Sequence, residues 1–191
     1  MTEALTERLN QILPRVTSDS FLSGAGLGNE IAFYIFAYPP ERELEVRRHI
    51  AFLLEQIPHH RPGLRVKHVN LFDFAIGHLQ DRNLLDKALR MQREKEPRHV
   101  IAQIETILDP EKTKYAFADA ASPTEHDLVF VSGVGSVFPM MRAHKLLNNI
   151  HTVMDATPLV LFYPGRYDGQ HLSLFGKLKS DNYYRAFKLV P

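Results

Sequence analysis

The residues most able to do chemistry stand in two places. The first is Ser132-Gly133-Val134-Gly135-Ser136, which follows an apolar run and precedes a helical one. In that position glycines allow close backbone approach, and the N–H groups at a helix start attract an anion. The same turn needs glycine with no ligand at all, and it lacks the lysine of a phosphate loop. Gly133, Gly135 and Ser136 are therefore a candidate anion or nucleotide loop, set beside the plain reading of a strand-to-helix turn. Ser136 lies outside the Gly-x-Ser-x-Gly pattern of a nucleophile elbow.

The second place is the C-terminal stretch. Residues 142–191 hold seven Lys and Arg against three Asp, while the rest of the chain is net acidic. Aromatic residues interleave with these bases, from Tyr163 to Phe187. Arg166, Tyr167, Tyr183, Tyr184 and Arg185 are candidate contacts to a partner. Tyr supplies rigid apolar area with a polar tip, and Arg a planar charged fork. The same mixture can hold single-stranded nucleic acid by phosphate contact and base stacking. Some of these rings must also pack a terminal hairpin. Asp168 is expected to order its Asp-Gly turn or to pair with Arg166.

Other patterns carry less. Gly24-Ala25-Gly26-Leu27-Gly28 precedes a strand, whereas phosphate loops follow one. Ten histidines form no His-Glu-x-x-His signature, and His59-His60 is expected in a Pro-flanked loop. His68, Asp73 and His78 are a loose grouping at a strand end. No metal site, cofactor or catalytic residue is expected.

The elements that must position these residues follow from periodicity. A short helix is expected over 3–14, stopped by Pro14. Ile31–Phe36 reads as a strand buried on both faces. A helix from about Glu41 to Ile57 carries Val46, Ile50, Leu53 and Ile57 inward, with Pro58 as its stop. A strand is expected over Arg65–Phe72. Helices follow from about Asp81 and from Pro97, the latter ended by Asp109-Pro110. Residues 111–126 read as connection. Leu128–Val131 and Pro158–Tyr163 are strands, separated by a helix starting near Pro139. Apolar strands alternating with amphipathic helices predict one three-layer α/β domain over 1–191, with a mainly parallel, Rossmann-like sheet and a C-terminal β-hairpin extension.

Composition narrows the function classes. The chain has 191 residues, a formal net charge of +1 and no cysteine. Bulk-electrostatic nucleic-acid binding, disulfide scaffolds, Cys-based metal centres and thiol nucleophiles are excluded. No run reaches the length of a membrane span. The acidic start Met1-Thr2-Glu3-Ala4-Leu5-Thr6-Glu7 is unlike a signal peptide, so a soluble cytoplasmic protein is expected.

Three blocks resemble the BrxB family of BREX bacteriophage-exclusion systems. They are Leu27–Pro40 continuing into Glu43–Arg47, the stretch Ser132–Ser136, and Leu161–Gln170 followed by Leu174-Phe175 and Asp181–Phe187. The resemblance implies a role in antiphage defence, encoded beside an AAA+-type ATPase, an adenine-specific DNA methyltransferase and the alkaline-phosphatase-like protein PglZ. It brings no catalytic residues with it. The expectation is a non-enzymatic assembly subunit that binds other BREX proteins, PglZ first. The alternatives are a nucleotide-binding subunit and direct contact with DNA through the basic C-terminal stretch.

Overall fold

The computed structural model describes residues 2–23, 32–154, 156–179 and 186–190. Three short helices open the chain: α1 (Thr2–Asn10), α2 (Ile12–Val16) and α3 (Asp19–Leu22). Pro14 does not stop the run as expected, because it falls in the first turn of α2, where its missing N–H costs no helical bond. Strand β1 (Phe33–Tyr38) follows, and Pro40 opens a single tight turn leading into α4 (Glu43–His60). Pro58 forfeits only its own N–H, so α4 runs on to His60, and Arg61 N still closes on Ile57 O at 2.8 Å. His59 and His60 thus sit in a last helical turn, not in a loop.

Strand β2 (Val66–Asn70) is shorter than the apolar run implied, and α5 (Leu71–Asp81) begins at once. Asn70 caps it, its side-chain oxygen accepting from the N–H groups of Phe72 and Asp73. Leu71, Ala75 and Leu79 then form a buried stripe at four-residue spacing. Next come α6 (Leu85–Glu94), α7 (Pro97–Ile107) and α8 (Pro110–Ala121). The α8 helix occupies residues expected as connection. Asp109 caps it, Pro110 takes its first position, and Thr113, Phe117 and Ala121 face inward.

Strand β3 (Leu128–Ser132) leads into a single turn, α9 (Val134–Val137), and then α10 (Ala143–Ile150). The expected helix start at Pro139 is displaced to Ala143. Strand β4 (Leu159–Tyr167), β5 (Leu172–Leu174), β6 (Leu178–Lys179) and β7 (Phe187–Lys188) complete the chain.

The sheet order is β2-β3-β4-β1-β7, and every pairing along that path is parallel. Strand β4 outruns its parallel neighbours. Its last residues, Gly165–Tyr167, pair antiparallel with β5, and β5 pairs with β6. The expected three-layer architecture with an antiparallel extension is therefore present, and β7 adds a further parallel strand beside β1.

Alternate side chains of the central strands enter two cores. Ile35, Val129, Val131, Leu161 and Tyr163 meet the layer built from α5 to α10. Tyr34, Phe36, Phe130, Val160 and Phe162 meet α1, α2 and α4. Both faces are covered, which is why β1, β3 and β4 read as unbroken apolar runs.

Candidate functional site

Strands β1 and β4 are neighbours, yet the chain leaves them in opposite directions. From Tyr38 it crosses through α4 to the far edge strand β2. From β4 it passes through the extension to β7 on the other side of β1. Ligand crevices of parallel sheets form where such connections diverge, at the carboxyl ends of the strands. Here a crevice of about 850 Å³ opens at that point.

Its apolar wall includes Ile35, Ala37, Pro39, Phe175 and Val190. Its cations are Arg8, Arg166, Lys177 and Lys188, against the carboxylates of Glu41 and Asp168. Arg8 reaches over from α1. Its Nη1 donates to the Ala37 carbonyl at 2.9 Å, and its guanidinium lies 4.8 Å from the centre of the Phe36 ring. Its buried Nε has no hydrogen-bond partner among the described residues. Burial pulls its pKa down from the ordinary arginine value.

Asp168 is committed to its own turn. Its Oδ1 accepts from the N–H groups of Gln170 and His171 at 2.8 and 2.7 Å, and the His171 imidazole lies 3.6 Å from Oδ2. Those N–H groups hold its carboxyl below the usual range. Gly165 brings the extension close: any side chain there would collide with the Ser173 carbonyl on β5.

A second polar cluster links α4 to the turn after β3. Buried Tyr38 donates its hydroxyl to Glu43. Glu43 also accepts from Arg47 Nε at 2.7 Å, and Arg47 Nη2 donates to Ser136 Oγ at 2.8 Å. Burial, and then Glu43, push the Tyr38 phenol well above its ordinary value. In the turn itself, Gly133 has φ +77°, and a side chain on it would strike Asn70 Oδ1, the cap of α5. Gly135 lies under the Phe175 ring.

The family described as BREX protein BrxB matches residues 67–189. A BREX protein BrxB of Bacillus cereus (strain H3081.97) is 40% identical over 190 residues, covering 97% of each chain. A second, from Escherichia coli O9:H4 (strain HS), is 36% identical over 187 residues, covering 98% of this chain and 92% of the relative. The chain belongs to the BrxB family. It is thus a BREX component, and the family resemblance read from its sequence blocks holds over nearly its full length. No solved structure matches it.

Two of the blocks that carried the BrxB resemblance meet at the carboxyl edge. Ser132–Ser136 forms the β3–α9 turn, and Leu161–Gln170 forms β4 and the crevice wall. Of the five candidate contact residues, Arg166 is exposed and lines the crevice. Tyr167 is not an outward ring. It is 7% exposed, and its hydroxyl lies 2.6 Å from the Ala186 carbonyl, bracing the segment that leads into β7. Tyr183, Tyr184 and Arg185 lie outside the described residues, as does the 24–28 glycine run.

The loop formed by Gly133, Gly135 and Ser136 is packed from both sides, by Asn70 and by Phe175. Its helix is a single turn, its hydroxyl accepts from Arg47, and both glycines are required by close packing. His68 is bonded to Ser132 at 2.8 Å and His78 stacks on Phe74. Among the described residues, no three metal-ligating side chains converge. No helix among them is long and apolar enough to cross a membrane.

Arg8, Tyr38, Glu43 and Arg47 were not among the sequence candidates. Arg8 reads as one more polar position on an amphipathic helix. The Pro39-Pro40 break marks where β1 ends but not what closes over that end.

Proposed function

We propose that the chain is a non-catalytic assembly subunit of the BREX machinery and holds another BREX protein, with PglZ the first candidate. The observation that carries this reading is the passage of β4 out of the parallel sheet into the antiparallel extension. That extension displays Arg166, Lys177 and Leu178, and Leu178 is 46% exposed. Arginine is enriched among interface hot spots, and the register places Arg166 and Leu178 on opposite faces of the extension, so both faces offer contact to a partner. The AAA+-type ATPase and the adenine-specific DNA methyltransferase are further partners in this reading. DNA is reached through the complex, and the work is done in the cytoplasm.

The test is co-purification of the chain with each BREX protein on a sizing column at micromolar concentration. Co-elution with PglZ is expected. A Leu178→Asp, Arg166→Glu variant should retain PglZ about tenfold less well, the loss of roughly one hot-spot contact. Separate elution from every BREX protein counts decisively against the assembly role.

A further inference from the structure

We propose that the crevice at the carboxyl ends of β1 and β4 binds a phosphorylated small molecule. This does not rest on the assembly reading, since the crevice is lined by side chains of this chain alone. Among the described residues, four cations reach the crevice from four separate elements: Arg8 from α1, Arg166 from β4, Lys177 from the β5–β6 turn and Lys188 from β7. Arg166, Lys177 and Lys188 form no ion pair with the described residues. Of the two described carboxylates at the crevice, that of Asp168 is held in place by two backbone N–H groups of its own turn. The described lining therefore carries four cations against the two carboxylates of Glu41 and Asp168, and that excess of positive charge attracts an anion.

Arg166 and Lys177 form the centre of this arrangement. The Arg166 Nε passes 3.8 Å from where a Gly176 side chain would begin, so the guanidinium lies along the same turn that carries Lys177. A forked guanidinium beside an ammonium suits phosphate oxygens, since one binds bidentately and the other as a point charge. The volume falls within the roughly 300–1,000 Å³ of small-molecule sites, and the apolar wall of Ile35, Ala37 and Val190 can face an uncharged part of the ligand. An acidic peptide or a nucleic-acid strand would use the charge but leave the apolar wall of the crevice unfilled.

The experiment measures thermal unfolding of the isolated full chain with millimolar inorganic pyrophosphate, ATP, a glutamate-rich peptide or a single-stranded oligonucleotide. Pyrophosphate and ATP should raise Tm by mass action, less so as salt increases. A larger shift with ATP identifies a nucleotide as the source, and equal shifts identify the phosphate itself. Either result supports the site. The variant Arg166→Gln, Lys177→Gln changes only exposed side chains, so its unliganded Tm should match that of the parent. It should bind either phosphate compound at least about tenfold more weakly. The proposal is overturned by no shift with either phosphate compound, by an equal shift in the variant, or by a shift confined to the peptide or the oligonucleotide.

Discussion

Arg47 Nη2 donates to Ser136 Oγ at 2.8 Å, joining residues 89 positions apart and fastening the first turns of α4 to the turn after β3. The hydroxyl best placed by sequence to meet a phosphate is therefore held by a guanidinium of the same chain. Ser136→Ala should leave any Tm shift with pyrophosphate unchanged, because the proposed cations lie elsewhere. Arg47→Met removes the bonds to both Glu43 and Ser136. Its side chain is half-exposed, so the loss should be no more than about 1 kcal/mol. Urea midpoints measure both; a loss of pyrophosphate binding in Ser136→Ala would return the site to the glycine turn.

Gly133 and Asn70 should behave as one unit. Gly133→Ala imposes a left-handed φ on a side chain and drives it against the oxygen that caps α5. The expected cost is about 2 kcal/mol, half from the backbone and half from the lost cap. Asn70→Ala alone should cost about 1 kcal/mol. The double variant should be less destabilised than the sum, since alanine at 133 has already displaced the cap. Strict additivity in chemical denaturation would show that the two residues act independently.

Tyr167 and Arg166 are adjacent but should separate cleanly. Tyr167→Phe leaves the Ala186 carbonyl without its 2.6 Å partner and should cost about 1 kcal/mol. Faster amide exchange around residues 186–189 should accompany it. Arg166→Glu, being exposed, should change stability by less than about 0.5 kcal/mol. Comparable destabilisation by the two would contradict their placement.

Stability should fall in two stages as pH drops. Burial holds His49, His68, His78 and His144 below the ordinary imidazole value. In each case the unfolded chain takes up a proton before the folded one does. Their contribution is thus complete above about pH 6.5 and declines as pH falls from there toward the folded values. Asp127, held down by hydrogen bonds from Arg65, and Asp168, held down by its turn, contribute above about pH 4 and lose that contribution below it. Urea midpoints across pH 8 to 3 should show both declines. His68→Asn should flatten the first without moving the second.

Much of the scaffold was legible because burial leaves a local trace. A strand covered on both faces reads as an apolar run, and Phe33–Tyr38, Leu128–Val131 and Leu159–Tyr163 show it. The α4 helix shows its inward stripe at helical spacing. At α5 and α8 one local signal serves two elements. The apolar start of α5 was absorbed into the preceding strand, although Asn70 is a capping residue. Asp109-Pro110 closed α7 in the sequence reading, but the same pair opens α8.

From the chain alone come the α/β class, the strand segments, the exclusion of thiol chemistry and the blocks shared with the BrxB family. These depend on residue type and short-range spacing, which survive in any linear reading. Only the folded molecule decides that Arg8 and Lys188 share a crevice, that Tyr167 turns inward, and that Ser136 is held by Arg47. Those juxtapositions depend on strand order and on which face each crossover takes. Both are set by packing across the whole sheet, and neither leaves a mark in local periodicity.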